Sequence, residues 1–241
     1  MKKPTRSFFL FFILFFVSLN GLCLATFYGT PKTGLQNFGR DPYAYSVFVP
    51  QNYTPEHNWP LVIALQAAGK AGNETVQSWA REAGERGYIL LCPAAPALIS
   101  RSQTGDDTRI LKLKAEVQSQ YEIDPERVLL TGAGDAGHYA LYLGLQHSRE
   151  FSAIACVGNA AAGPLAKLFK FSLTTARRMP LLFLIGPQKG ADDPALTADV
   201  EVFKKEGYAV QVIGSDALQS ASDTAAHPFI MNWFEEELSK K

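Results

Sequence analysis

Three glycines and the polar residues beside them mark where this chain could do chemistry. Gly132, Gly134 and Gly137 lie in "VLLTGAGDAGHYALYL", Val128 to Leu143, an apolar run that breaks at glycine and resumes with helical spacing. A strand that turns sharply into a helix points backbone N–H groups at whatever sits above the turn, a favourable place for negative charge. Three chemistries fit these residues. G-x-G-x-x-G is the fingerprint that seats a dinucleotide pyrophosphate. G-x-S-x-G is an elbow that raises a nucleophilic serine, and here Gly134 stands where the serine would be. In a third register, Ala133 and Gly137 flank Asp135, which would make an aspartate the nucleophile.

The surroundings weigh against the first. A dinucleotide site needs its turn on the first strand and an acid closing the next. Several strands precede this turn, and the next one, "SAIACVG", runs into Asn159. His138 and Asp135 sit close together after the turn, but no third ligand appears at a zinc spacing, so neither a metal nor a cofactor is expected. His57 lies in a polar turn and His147 near a helix end. His227, before the closing "PFIMNWF", is the histidine with a functional claim.

The elements that position these residues alternate. "YSVFV" has period two, and "LVIALQ" is continuously apolar, as a strand buried on both faces should be. A helix over Glu74–Arg86 ends at Gly87, and "YILLCP" follows. The next helix spans Asp107–Tyr121, capped by Asp106 or Asp107. A turn "IDPER" leads into "VLLT", and a helix from Gly137 or His138 runs to about His147. "LLFLIG", a helix Ala195–Glu206, "YAVQVIG" and a helix Pro228–Leu238 complete the chain. Strand–helix alternation without a linker predicts one doubly wound, mostly parallel sheet of seven or eight strands. Ligands then bind beyond the carboxyl ends of the strands. Those ends carry Gln66, Pro93, the Gly132 turn, Asn159, Gly186 and the loop leading to His227.

Composition sets the outer bounds. The chain has 241 residues, with 23 Lys plus Arg against 23 Asp plus Glu, so nothing favours nucleic acid. Lys2, Lys3 and Arg6, an apolar run Phe8–Val17 and the small-x-small Cys23-Leu24-Ala25 predict a signal peptide over residues 1–25. The domain is then 26–241, in a secreted or periplasmic protein with no membrane anchor after cleavage. Cys92 and Cys156 sit in apolar strands as small buried hydrophobes. Trp79 and Trp233 fall on amphipathic helices as core residues, whereas Trp59, before Pro60, is expected at the surface or a pocket rim. Lys167, Lys170, Arg177 and Arg178 form a basic stretch with a solvated face as its default.

Nearly the whole of residues 26–241 resembles a known family. "YSVFVPQNY…WPLVIALQAAG", "YEIDPERVLLTGAGDAGHYAL" and "HPFIMNWF" are similar, in order and spacing, to secreted α/β-hydrolase esterases related to polyhydroxybutyrate depolymerases and feruloyl esterases. The resemblance implies a single-domain α/β-hydrolase fold. It also places Gly134 at the nucleophile position, with Gln66-Ala67 where the family carries His-Gly at the oxyanion strand. Lys189 takes the usual place of the triad acid, with Asp192 and Asp193 displaced downstream, and His227 occupies the histidine position. Gln66, Ala67 and Ala133 would line the substrate pocket. The expectation is a pseudoesterase, vacant at Gly134, with a pocket for a small ester, acyl group or carboxylate. A hydrolase using Asp135 with His227 as base, and a scaffold without a ligand pocket, remain the alternatives.

Overall fold

The computed structural model describes residues 31–40, 44–66, 72–93, 103–158, 176–186, 194–214 and 224–240, with residues 72–73 and 103–106 described by backbone alone. The chain divides into Met1–Lys32 and Thr33–Lys241, and every element below belongs to the second part. The strands are β1 (Gly34–Phe38), β2 (Tyr45–Val49), β3 (Trp59–Leu65), β4 (Ile89–Pro93), β5 (Ile123–Ala133), β6 (Ala153–Val157), β7 (Leu181–Ile185) and β8 (Val210–Gly214). The helices among the described residues are α1 (Gly72–Arg86), α2 (Gln103–Gln120), α3 (Asp135–Gln146), α4 (Pro194–Lys205) and α5 (Ala226–Ser239).

The eight strands form one sheet in the order β1-β2-β4-β3-β5-β6-β7-β8. β2 runs antiparallel to both β1 and β4. From β4 through β8 every pairing is parallel. Parallel neighbours need a crossover, and crossover helices bury both faces of the sheet. The side chains obey that demand. Val62, Ala64, Leu90, Cys92, Leu129 and Leu182 pack with Trp79, Trp233 and Phe234, so α1 and α5 cover one face. Leu61, Ile63, Leu91, Leu130 and Ile154 pack with Ile110, Leu113, Leu143 and Phe203, so α2, α3 and α4 cover the other. This is the single α/β domain with a mostly parallel sheet that the alternating pattern implied.

Several local expectations are corrected. The "IDPER" turn lies inside β5 as an irregularity. Trp59 pairs with Ile123 but Leu61 pairs with Val128, so extra residues of β5 loop out. Asp124 closes that loop, accepting the Glu126 N–H at 2.9 Å and the Arg127 Nε at 2.7 Å. Trp59 is not at a rim. It is 6% exposed, and its Nε1 donates to the Thr54 carbonyl at 2.8 Å. α2 begins at Gln103, so Asp107 is not its cap but a residue within it. Its buried carboxylate faces α3, accepting the Tyr139 hydroxyl at 2.5 Å, with His147 Nε2 3.7 Å from its other oxygen. The basic pair Arg177 and Arg178 is exposed, as its solvated-face default implied, while Arg177 donates to the Phe151 carbonyl and Arg178 lies over the Tyr208 ring. Lys167 and Lys170 lie outside the described residues.

A buried carboxylate left short of a partner costs about 2 kcal/mol. Tyr139→Phe removes one donor from Asp107 without changing the packed ring. Urea unfolding should show a loss of about that size with an unchanged slope.

Candidate functional site

α1, α3 and α5 follow β3, β5 and β8, so their first turns lie towards the carboxyl edge of the sheet. The tightest of these junctions is β5 to α3. Gly134 sits between them with φ 57° and ψ −124°, a conformation that favours glycine. Its N–H donates to the Val157 carbonyl of β6 at 2.9 Å, and its own carbonyl accepts from Gly137 and His138 at 2.9 and 3.2 Å. The flanking glycines answer to space. A Cβ on Gly132 would overlap the Ala136 carbonyl, and one on Gly137 would stand 3.0 Å from the Gly132 oxygen. A Cβ on Gly134 would meet nothing within 4 Å. The spacing that reads as a dinucleotide fingerprint therefore has a packing cause. Gly132 and Gly137 let strand and helix touch, and Gly134 makes the reversal.

The helix begins at Asp135, two or three residues before the Gly137 or His138 start expected from periodicity. The positive φ of Gly134 ends the strand abruptly, and helical geometry follows at once. Asp135 is exposed in the first turn of α3, one residue past the reversal at Gly134. No side chain caps α3. The backbone N–H groups of Asp135 and Ala136 make no hydrogen bond among the described residues. They leave a donor pair at the positive end of the helix. Ala133 ends β5 and packs with the α1 and α5 side.

Gln66 follows β3 and is 2% exposed. Its Nε2 donates to the Pro93 carbonyl at the end of β4, 3.0 Å away, while its Oε1 has no partner among the described residues. His227 is the second residue of α5, which starts two residues earlier than the sequence pattern indicated. It is 7% exposed. Its ring stacks on Trp79, centroids 3.9 Å apart and planes 21° apart. Its Nδ1 lies 3.1 Å from the Ser78 carbonyl. A carbonyl only accepts, so Nδ1 carries the proton and Nε2 is the basic nitrogen of the neutral ring. Sequence reading placed Trp79 in the core but missed its role in seating His227. The two residues lie on helices at opposite ends of the chain, and only the sheet brings those helices side by side. Ala67, Asn159, Lys189, Asp192 and Asp193 lie outside the described residues.

His138 is half-buried in the first turn of α3. Among the described residues no three side chains of metal-ligating type come together. Cys92 and Cys156 are free and buried. Cys156 lies beneath the turn and donates to the Gly137 carbonyl at 3.4 Å. Burial pushes its thiol up to about 12 and raises that of Cys92 further still. Neither has the thiolate character a nucleophile needs.

Two outcomes follow from this geometry. Gly134→Ala should cost about 1–2 kcal/mol, the penalty of a Cβ at positive φ. Gly132→Ala should cost at least about 3 kcal/mol, because backbone must move to admit the methyl; chemical unfolding of the two variants gives the order. The thiols weaken the fold at alkaline pH. Their raised values belong to the folded state, so their contribution is whole below the ordinary value of 9.0 and drains as pH climbs towards about 12. Peptide mapping after treatment with a thiol reagent at pH 8 should find Cys92 and Cys156 unmodified in native protein and modified in urea.

No protein-family model matches the sequence, and no curated protein does. Solved structures share its fold at low identity. FphF, a fluorophosphonate-binding serine hydrolase of Staphylococcus aureus, superimposes with a TM-score of 0.68 at 11% identity, over 83% of this chain and 96% of that one. The S-formylglutathione hydrolase FrmB of the same organism gives 0.65 at 12%, over 86% and 99%. Est1E of Butyrivibrio proteoclasticus gives 0.58 at 12%, over 85% and 100%. The likeness is to the fold these proteins have in common and singles out no branch of polyhydroxybutyrate depolymerases. The chain has the α/β-hydrolase fold.

Proposed function

We propose that this is an exported pseudoesterase, a protein that keeps the binding pocket of a carboxylesterase and lacks its covalent chemistry. The observation that carries this reading is the backbone of Gly134. It makes the reversal that elsewhere lifts a nucleophile above the sheet, and it has no side chain to lift. Acyl transfer through an elbow needs an oxygen or sulfur there. Losing a serine nucleophile costs on the order of a million-fold in the protease case, about 8 kcal/mol of barrier. The uncapped N–H groups of Asp135 and Ala136 still suit the oxygen of a small ester, acyl group or carboxylate. Residues 1–25, read as a signal peptide, put that pocket outside the cytoplasm.

Gly134→Ser is the direct test, because the position has room for the side chain and His227 keeps a basic Nε2 in the neutral ring. Wild type should be inert on p-nitrophenyl acetate and butyrate. The serine variant should gain a rate on the order of 10²- to 10⁴-fold, the contribution of a positioned general base, and accept stoichiometric labelling by a fluorophosphonate. Turnover by wild type that disappears in Asp135→Asn would overturn the reading in favour of an aspartate nucleophile.

A further inference from the structure

The connection between β2 and β3 carries a triplet that the pocket reading does not use. Asn52-Tyr53-Thr54 is Asn-x-Thr with a middle residue other than proline, the pattern that accepts an N-linked oligosaccharide in exported proteins. An oligosaccharide is bulky and solvated, so the triplet serves only where the asparagine stands clear of the fold.

Local structure meets that condition. The Tyr53 N–H donates to the Pro50 carbonyl at 3.1 Å and closes a tight turn with Gln51 and Asn52 at its corners. Tyr53 pins the turn from beneath. It is 9% exposed, its ring lies 5.4 Å from those of both Trp59 and Tyr121, and its hydroxyl accepts the Glu122 N–H at 2.9 Å. Gln51 and Asn52 are left outside, both exposed. Gln51 Oε1 accepts from the Thr33 hydroxyl, whereas the Asn52 side chain makes no hydrogen bond among the described residues. A turn asparagine often commits its amide to nearby backbone. This one does not, so derivatising its nitrogen breaks nothing.

The turn also stands at the right end of the sheet. It follows β2, whose Phe48 pairs with Leu90 near the start of β4, and it leads to Trp59, the first residue of β3. The Gly134 reversal lies at the opposite, carboxyl edge. A chain of sugars on Asn52 leaves that edge uncovered. The other triplet of this pattern, Asn73-Glu74-Thr75, falls within α1, where residues two apart are about 200° round the axis and share no face.

We propose that Asn52 is the attachment site of an N-linked oligosaccharide, on the reading above that residues 1–25 carry the chain out of the cytoplasm. The donor is an oligosaccharide on a lipid pyrophosphate. Asn52 Nδ2 bonds to the anomeric carbon of the first sugar, the bond from that carbon to the pyrophosphate oxygen breaks, and Nδ2 gives up one proton. No group is oxidised or reduced.

Full-length protein produced in a eukaryotic secretory host tests this, by peptide mapping in a mass spectrometer before and after enzymatic release of N-linked chains. The peptide holding Asn52 should carry sugar, and release should leave its asparagine converted to aspartate. Asn52→Gln should lose that modified peptide and shift the intact mass down by one oligosaccharide. Thr54→Ser keeps the hydroxyl and should keep the sugar. Secreted wild type with Asn52 bare would overturn the assignment and leave export standing. Wild type retained in the cell with Asn52 bare would overturn both.

Discussion

The contact on which the rest depends is the approach of β5 to the first turn of α3. Backbone meets backbone there, with Gly132 against the Ala136 carbonyl and Gly137 against the Gly132 oxygen. Side chains cannot be accommodated between them, so the approach sets how close α3 lies to the sheet. Gly134 is tied to β6 through the Val157 carbonyl, which fixes the reversal to the centre of the sheet rather than to a mobile loop. A rigid platform of this kind is what places helix N–H groups accurately above a pocket, whatever occupies the tip.

Around that platform the buried polar groups fall into two kinds. Asp107 is matched by Tyr139 and has His147 close by, on the face of the sheet covered by α2, α3 and α4, and it joins helices. Gln66 and His227 lie towards the other face, at the carboxyl ends of the strands. Gln66 is half satisfied, and His227 is held by a carbonyl and an indole on α1. Structural polar networks tend to be complete, because a low-dielectric interior penalises any gap. Gln66, at a strand end, departs from that pattern among the described residues. The fold relatives are hydrolases, yet fold carries no function by itself, and the functional reading here rests on these groups.

Much of the architecture was legible because its causes are local. Short continuous apolar runs such as "LVIAL" and "LLFLI" read as strands buried on both faces, and their alternation with amphipathic segments leaves few topologies. Helix starts were less legible. α2, α3 and α5 all begin earlier than their apolar periodicity indicates: the opening residues of α3 and α5 are glycine, alanine and polar residues, which carry little periodic apolar signal even where they are buried. Trp59 misled as well. A proline follows it, which suggests a rim, but the Tyr53 and His57 rings pack beside the indole and the Thr54 carbonyl takes its N–H.

The sequence alone determined that a strand–turn–helix stands at the centre of the protein, with glycine at its tip and a histidine near the start of the last helix. Those are facts of residue type and order, and no packing can alter them. Tertiary structure decided what the three glycines are for, which depends on distances between backbone atoms that spacing does not encode. It also decided the state of His227, because the Ser78 carbonyl that selects its tautomer lies 149 residues away along the chain. Gln66 owes its orphan oxygen to Pro93 in the same way. A polar side chain's meaning is set by what faces it, and what faces it here was brought there by the sheet.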